Sequence, residues 1–390
     1  MKTNSDEMHN QEMLLKKIRQ SSEVFDKLAN SYEVWVPESG WLAGRRNRDK
    51  NDSKRKNLTD WSILSFLLEI DNCHYPMADS YLQYGIDGVI RIAAETLETL
   101  KNNLQSELQD QTQLDIAYLE SLLHVWKRFR QFVADHMVLA LECAKQETSD
   151  TKKKRYEKIA KICQNLTINK PNTFCEALQL FWFTYLFRSP FGAGCIGRLD
   201  QLLYPFYKHD CEMGIWDQQE AEKMLEEMFT RMNEINTGDT LRNLMLSGQD
   251  AKGNDQTNEI TYLILVAYEN TGGSEPHLNV RFHEKTPKKL RDNCINMLSS
   301  GSGQPTIYFD EAVLPAMEKA GICPEDACQY ANDGCTETVI AGKSAIVFWQ
   351  YEMVKTVELT LFGGNENPCV KPVSMKKNSI HGADFVPKIF

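Results

Sequence analysis

The 390-residue sequence contains no uncharged apolar run approaching the ~20 residues that a membrane-spanning helix needs. Its opening stretch, Lys2 to Gln11, is polar and lacks the apolar centre of a secretory signal. Together these absences make the cytoplasm the expected compartment, where the eleven cysteines would stand as reduced thiols. No two of those cysteines are spaced Cys-x-x-Cys, which argues against a zinc ribbon or finger, and no metal site is expected. Positive charge is also short: 44 Lys and Arg against 54 Asp and Glu give a formal net charge of −10. That balance argues against nucleic acid or an anionic membrane as the main partner. The densest basic stretch, Arg45 to Lys56, contains Asp49 and Asp52 and reads as a solvated loop. Internal repeats and low-complexity tracts are absent. What remains is an ordinary globular composition, 42% hydrophobic and 25% charged.

Residues 1–170 read as mainly helical. Val89, Ala93, Leu97, Leu100, Leu104 and Leu108 recur at spacings of three and four, and Leu119 to Ala144 continues in the same manner. After a break at Pro171, Thr173 and Glu176 form a capping-box pattern that predicts a helix from Phe174 to about Phe187. From Asp217 helices and strands alternate. Asp217 and Glu220 cap a helix bearing Met224, Leu225, Met228 and Met232; 243–247, 278–282 and 306–309 read as strands. Helices are expected from Thr257 to about Tyr268, after Thr286-Pro287 with proline at the first helical position, and after Asp310 as a cap. Cys323 and Cys328 read as helix residues, and Ile346 to Leu361 as a further helix. The expected class is α/β with buried strands behind a helical layer.

The sharpest local feature is Gly334-Cys335-Thr336-Glu337. In an extended segment, residues two apart point the same way, so a thiol and a carboxylate could share one small pocket. Against this stands the common fate of a free cysteine as a small buried hydrophobe. Gly192-x-Gly194-x-x-Gly197 matches the dinucleotide fingerprint by letters, but it follows a capped helix rather than a strand and reads as a glycine-rich loop. Asp310-Glu311 reads as a helix cap rather than a catalytic pair, and Arg281 could hold either a ligand carboxylate or a neighbouring aspartate.

The segment Asn332 to Lys343, with Gly334-Cys335-Thr336-Glu337 and then Gly342-Lys343, resembles the active-site loop of glycyl radical enzymes of the pyruvate formate-lyase-like superfamily, which shows Gly-Cys-x-Glu followed by a Pro- or Gly-containing turn and a Gly-Lys. Other stretches resemble that family in the same order. They are His74, Asp79, Leu82, Gly85 and Gly88; Thr173 to Gln179; Gly197 to Gln201 with Tyr204 to Tyr207; Gly248 to Asp250; Asn258-Glu259; Asn279 to Arg281; and Asp310-Glu311.

The resemblance implies an N-terminal helical layer and half of a ten-stranded α/β barrel. The mainly helical part would be 1–170, the half-barrel with the cysteine loop 171–364, and 365–390 a truncated tail, with the glycine radical domain missing. It also implies that Cys335 becomes the thiyl that takes a hydrogen atom from substrate, while Glu337 moves a proton. His74, Arg281 and Trp349 are candidate substrate contacts. No cofactor is expected on these residues. The glycyl radical would be installed by an S-adenosylmethionine-dependent, iron–sulfur activating enzyme, on an Arg-Val-x-Gly segment that this sequence does not contain. The other expected partners are a small-molecule substrate, a separate C-terminal half, and a second copy in a homodimer. Gly334 stands where pyruvate formate-lyase has a second cysteine, so dehydratase or other lyase chemistry is favoured over acyl transfer. Trp349 stands fourteen residues after Cys335, where diol dehydratases carry a carboxylate, which puts a diol substrate in doubt. The competing readings are an inactive remnant of such an enzyme and a thiolate nucleophile at Cys335, the latter needing a nearby histidine.

Overall fold

The computed structural model describes residues 4–45, 80–102, 110–188, 194–234, 242–272, 275–334, 336–341, 343–344 and 360. All but the last lie in one compact unit, Met1–Ser344. Helices α1 (Asn4–Ser31), α2 (Ser80–Asn102, kinked at Gly85), α3 (Asp110–Gln146), α4 (Asp150–Ile168) and α5 (Phe174–Arg188) come first. Strand β1 (Gly194–Gly197), α6 (Leu199–Glu212), α7 (Gln218–Glu234), β2 (Arg242–Ser247), α8 (Glu259–Thr271), β3 (His277–Phe282), α9 (Lys288–Ser299), β4 (Thr306–Phe309) and α10 (Asp310–Lys319) follow. The short helix α11 (Pro324–Ala327) leads into a hairpin of β5 (Ala331–Asp333) and β6 (Glu337–Val339).

Helix α5 shows how the helical layer meets the sheet. It is apolar almost all round, which suits a helix buried on every side. Phe181, Trp182, Phe183 and Leu186 are fully buried. The capping box at its start forms as expected: the Glu176 amide donates to Thr173 Oγ1 at 3.2 Å, and the Thr173 amide donates to Glu176 Oε2 at 3.3 Å. Backbone 43–44 is tied to α5 by Gln179, which bonds both polar groups of Ala43, and by Trp182 Nε1, which donates to the Gly44 carbonyl at 2.8 Å. Phe25, Tyr32, Phe129 and Phe132 pack around Phe187 and join α1 and α3 to the same core.

The four strands form one parallel sheet in chain order, β1-β2-β3-β4, each joined to the next through helices. This is the α/β organisation expected. The pleat divides the side chains cleanly. Ile196, Leu244, Leu246, Leu278 and Val280 face the helices and belong to the main core. By register, Cys195, Asn243, Met245, Ser247, His277, Asn279, Arg281, Thr306 and Tyr308 share the opposite face. That second face is mostly polar, and the β5–β6 hairpin packs on it.

Several expectations shift. Gly194–Gly197 is an edge strand, not a glycine-rich loop. Pairing with β2 supplies hydrogen bonds that so short a glycine-containing stretch does not announce. The dinucleotide reading still fails, because Gly194 and Gly197 fall within the strand instead of after it. Helix α9 starts one residue later than expected: Pro287 is its N-cap, and Thr286 Oγ1 instead accepts from the His283 amide. Helix α8 starts at Glu259, held by a reciprocal box between Asn258 and Thr261. Helix α3 begins at Asp110, before the expected Leu119, and Cys323 and Cys328 flank α11 instead of lying within it. Of the basic stretch, Arg45 is described; it pairs with Glu33 and lies over Trp35. Leu104, Leu108 and the helix expected over 346–361, apart from Thr360, lie outside the described residues.

Candidate active site

The Gly-Cys-x-Glu segment is the tip of the β5–β6 hairpin. Its strands pair antiparallel, Ala331 with Val339 and Asp333 with Glu337. Gly334 turns the chain at φ 48°, a left-handed conformation that side chains other than glycine adopt at a cost. Cys335, between Gly334 and Thr336 in the chain, lies outside the described residues, as do His74 and Trp349. Glu337 is exposed and not enclosed. Its Oε2 accepts from the Thr336 amide at 3.1 Å, so the carboxylate curls over the turn that holds Cys335. Its charge reaches Tyr308 on β4: burial raises the phenol's pKa first, a hydrogen bond with Asn332 opposes the rise, and Glu337 adds to it.

The hairpin is fastened to the polar face by side chains to which the sequence pattern gave no such role. Asn243 Nδ2 donates to the Gly334 carbonyl at 2.8 Å. Asn332 Nδ2 and Asn279 Nδ2 both donate to Asn243 Oδ1, at 3.0 and 3.2 Å. Cys195 Sγ donates to the Asn332 carbonyl at 2.9 Å. A usable signal existed. Asparagine is depleted in strands, yet Asn243 precedes the apolar run Leu244-Met245-Leu246 of one, and Asn279 sits between Leu278 and Val280 of another.

Arg281 is corrected. It is fully buried and committed to the protein, which leaves nothing for a substrate. Its Nε and Nη2 donate to the two carboxylate oxygens of Asp310 at 2.8 and 2.9 Å, and its Nη1 donates to the Cys328 carbonyl at 2.9 Å. The guanidinium also lies 4.0 Å from the Tyr330 ring centre. Asp310 is corrected with it. The N-cap of α10 is Phe309, and Asp310 accepts from Arg281, from the Tyr330 hydroxyl at 2.9 Å and from the Gln249 amide at 3.0 Å.

A second buried arginine and aspartate, Arg198 and Asp200, stand beside that ion pair and both bond Ser247. Arg198 Nη2 donates to the Ser247 carbonyl and Nη1 to the Cys328 carbonyl, at 2.8 and 3.1 Å. Asp200 Oδ2 accepts from the Ser247 amide and the Thr261 hydroxyl, at 2.8 and 2.7 Å. Burial lowers Arg198 to about 10, with the nearby Arg281 charge adding to the fall, and burial raises Asp200 against the pull of Arg198. Ser247, at φ 62°, is thus gripped through its amide by Asp200 and through its carbonyl by Arg198. Two positive and two negative groups with most of their bonding capacity used form a closed anchor, not a ligand site. Nearly every motif singled out in the sequence from Gly197 to Asp310 ends in this anchor. It holds the ends of β1, β2 and β3 to the segment just before the hairpin.

A parallel α/β sheet that carries a Gly-Cys-x-Glu hairpin on its polar face is the architecture of glycyl radical enzymes. The family model described as pyruvate formate lyase-like matches residues 72–384, and the chain belongs to that family. It is 33% identical over 263 residues to trans-4-hydroxy-L-proline dehydratase of Clostridioides difficile, a match covering 63% of this chain and 33% of that protein. It is 30% identical over 275 residues to (2S)-3-sulfopropanediol dehydratase of Klebsiella oxytoca, covering 66% and 33%. Among solved structures, the B12-independent glycerol dehydratase of Clostridium butyricum superposes with a TM-score of 0.69 at 22% identity, over 86% of this chain and 55% of that one. At that identity the likeness speaks to fold alone. The hydroxyproline dehydratase of Clostridioides difficile superposes with a TM-score of 0.64 at 25% identity, over 75% and 42%. The matched stretch is thus about a third of these curated relatives' length.

Proposed function

We propose that these residues supply the cysteine side of a glycyl radical lyase, acting as a dehydratase or related eliminating enzyme on a small organic substrate. The observation that carries the reading is the β5–β6 hairpin. It presents Gly334-Cys335-Thr336-Glu337 from the polar face of a parallel sheet, with Glu337 curled over the turn next to Cys335. The radical of such enzymes, carried on another segment, supplies the hydrogen-atom abstraction that converts the cysteine thiol to a thiyl. The hairpin fits this demand because its tip is exposed at Thr336 and Glu337, while its base is buried at Ala331, Asn332 and Asp333.

In this reading Cys335 removes a hydrogen atom from a carbon of the substrate. Glu337 then takes or gives the proton that lets water or another group depart, which requires it within hydrogen-bond reach of the reacting centre. Two relatives are dehydratases by name and another is an isethionate sulfite-lyase, which favours elimination over acyl transfer. Tyr308 and the asparagine cluster shape the wall behind the hairpin. His74 and Trp349 remain proposed substrate contacts, and the whole enzyme is proposed to be a homodimer activated by a radical S-adenosylmethionine enzyme.

The test is anaerobic co-expression with such an activating enzyme and a radical-bearing C-terminal segment, read by electron paramagnetic resonance and by product formation. Cys335→Ala is expected to abolish turnover. Glu337→Gln is expected to lower it by about a hundredfold or more, with an unchanged melting temperature, because the side chain is exposed. Turnover that survives Cys335→Ala would exclude the mechanism.

A further inference from the structure

A carbonyl oxygen can only accept a hydrogen bond, and this fixes the direction of the asparagine cluster under the hairpin. Because Asn243 faces the Gly334 carbonyl at 2.8 Å, that end must be its NH2 group. Its oxygen therefore points the other way, and Asn332 and Asn279, at 3.0 and 3.2 Å, must both present NH2 groups to it. The cost of this orientation is visible. Asn279 Oδ1 and Asn332 Oδ1 are left buried without a hydrogen-bond partner among the described residues. A buried acceptor left unmade costs more than an ordinary bond returns, so the arrangement is not one that local bonding alone would select. All three side chains are only 1% exposed.

We infer that Asn243 is the positioning residue of the cysteine turn. It clamps the carbonyl of Gly334, the residue that precedes Cys335 in the chain. No other described side chain donates to that carbonyl. Neighbouring contacts hold the strand around it: Asn332 is pinned on its other side by Cys195 Sγ at 2.9 Å. The inference rests on the assignment of Cys335 as the working thiol, but its test needs neither radical nor substrate.

The test compares wild type, Asn243→Asp and Asn243→Ala as purified full-length chains. The readout is the rate of Cys335 alkylation by iodoacetamide in native buffer, measured by peptide mass spectrometry relative to Cys211 and Cys323, which are exposed. Asp keeps the size and the acceptor oxygen but cannot donate to Gly334. Both variants are expected to change the Cys335 ratio by about fivefold or more, the factor that one lost hydrogen bond is worth. Amide hydrogen exchange across 331–339 should quicken by a similar factor, while α5 exchanges as before. If Asn243→Ala does not fold, Asn243→Asp carries the comparison alone. An unchanged ratio and unchanged exchange in a folded variant would overturn the inference. Loss of the radical mechanism would instead appear as turnover surviving Cys335→Ala, with the alkylation result untouched.

Discussion

Replacing Arg281 by methionine separates a structural arginine from a substrate anchor. Arg281 and Asp310 are both 0% exposed, and the carboxylate receives two charge-assisted bonds from the guanidinium at 2.8 and 2.9 Å. Methionine retains most of the apolar stem but leaves Asp310 with only the Tyr330 hydroxyl and the Gln249 amide. Stripping the partner from a buried charge costs about 3–5 kcal/mol. The Tyr330 carbonyl loses its Arg281 donor at 3.3 Å, and the Cys328 carbonyl loses one of two, keeping Arg198 Nη1 at 3.1 Å. Each such loss adds about 1 kcal/mol, though the losses are not additive in one network. The expected destabilisation is therefore about 4 kcal/mol, to be read from urea unfolding followed by tryptophan fluorescence. Arg281→Met combined with Asp310→Leu removes the stranded charge and should recover about 2 kcal/mol or more of that loss. An Arg281→Met protein that unfolds within about 1 kcal/mol of wild type would refute the reasoning. It would return Arg281 to the role of ligand anchor, especially if substrate affinity alone declined.

Acidification tests the helical layer through His136, which is 0% exposed. Its Nδ1–H donates to the Phe132 carbonyl at 2.8 Å, leaving Nε2 to receive any added proton in a dry setting. Burial lowers its pKa from 6.5 to about 4, against smaller opposing effects of the Phe132 carbonyl and Asp135. The unfolded chain thus binds this proton first, so the stability is complete above pH 6.5 and is lost as pH falls towards 4. The arithmetic gives a loss of about 2 kcal/mol by pH 5 and about 3 kcal/mol in all. His136→Leu should flatten the melting profile between pH 7 and 5 by that share, and an unaltered slope would contradict it. Gly248→Ala tests the anchor from the backbone side. At φ 99° a Cβ there would lie 2.5 Å from the Arg281 guanidinium carbon, and Arg281 cannot retreat from Asp310. A loss of about 2 kcal/mol or more in urea unfolding is expected, and a neutral outcome would mean the turn can relax.

What could be read without coordinates follows physical range. Helix α5 and the cap of α7 were legible because capping boxes act over four residues: Asp217 and Glu220 bond each other's amides at 3.1 and 2.8 Å, as their spacing implies. The strands β2, β3 and β4 announced themselves by apolar runs between turns. Strand β1 did not, because Gly194-Cys195-Ile196-Gly197 is held in the sheet by β2, whose paired residues lie more than forty positions downstream. Asp310 was misread for the same reason. A carboxylate opening a helix has a local reading as a cap, and only the fold brings Arg281 to it across 29 residues. The asparagine cluster was invisible as a cluster, since its bonds span 36 to 91 positions. Of the site itself, the turn at Gly334 and the nearness of Glu337 to Cys335 in the chain were legible. The exposure of Glu337 was not.

This difference in range also bears on what family membership can say about the substrate. The sequence stretches that carry the resemblance, Gly197 to Gln201, Gly248 to Asp250, Asn279 to Arg281 and Asp310, resolve into the buried Arg281–Asp310 ion pair, the buried Arg198 and Asp200 that grip Ser247, and the turn they hold. These residues spend their charges on one another and on backbone groups around the hairpin. They are constrained by the need to present a cysteine turn from the end of a parallel sheet, a need shared by every enzyme that uses such a turn. Substrate choice must be written elsewhere, on side chains that face the space above the hairpin without being consumed by it. Among the described residues Tyr308, His277 and Thr306 share the polar face and are half-buried, with His277 Nε2 bonded to Thr306 Oγ1 at 3.0 Å and Tyr308 bonded to Asn332. Relatives that differ in substrate should therefore differ at positions like these while keeping the anchor. Under the proposed function, grafting the β3–β4 face of one such relative onto this chain should move substrate preference further than any change to the buried arginines and aspartates beneath.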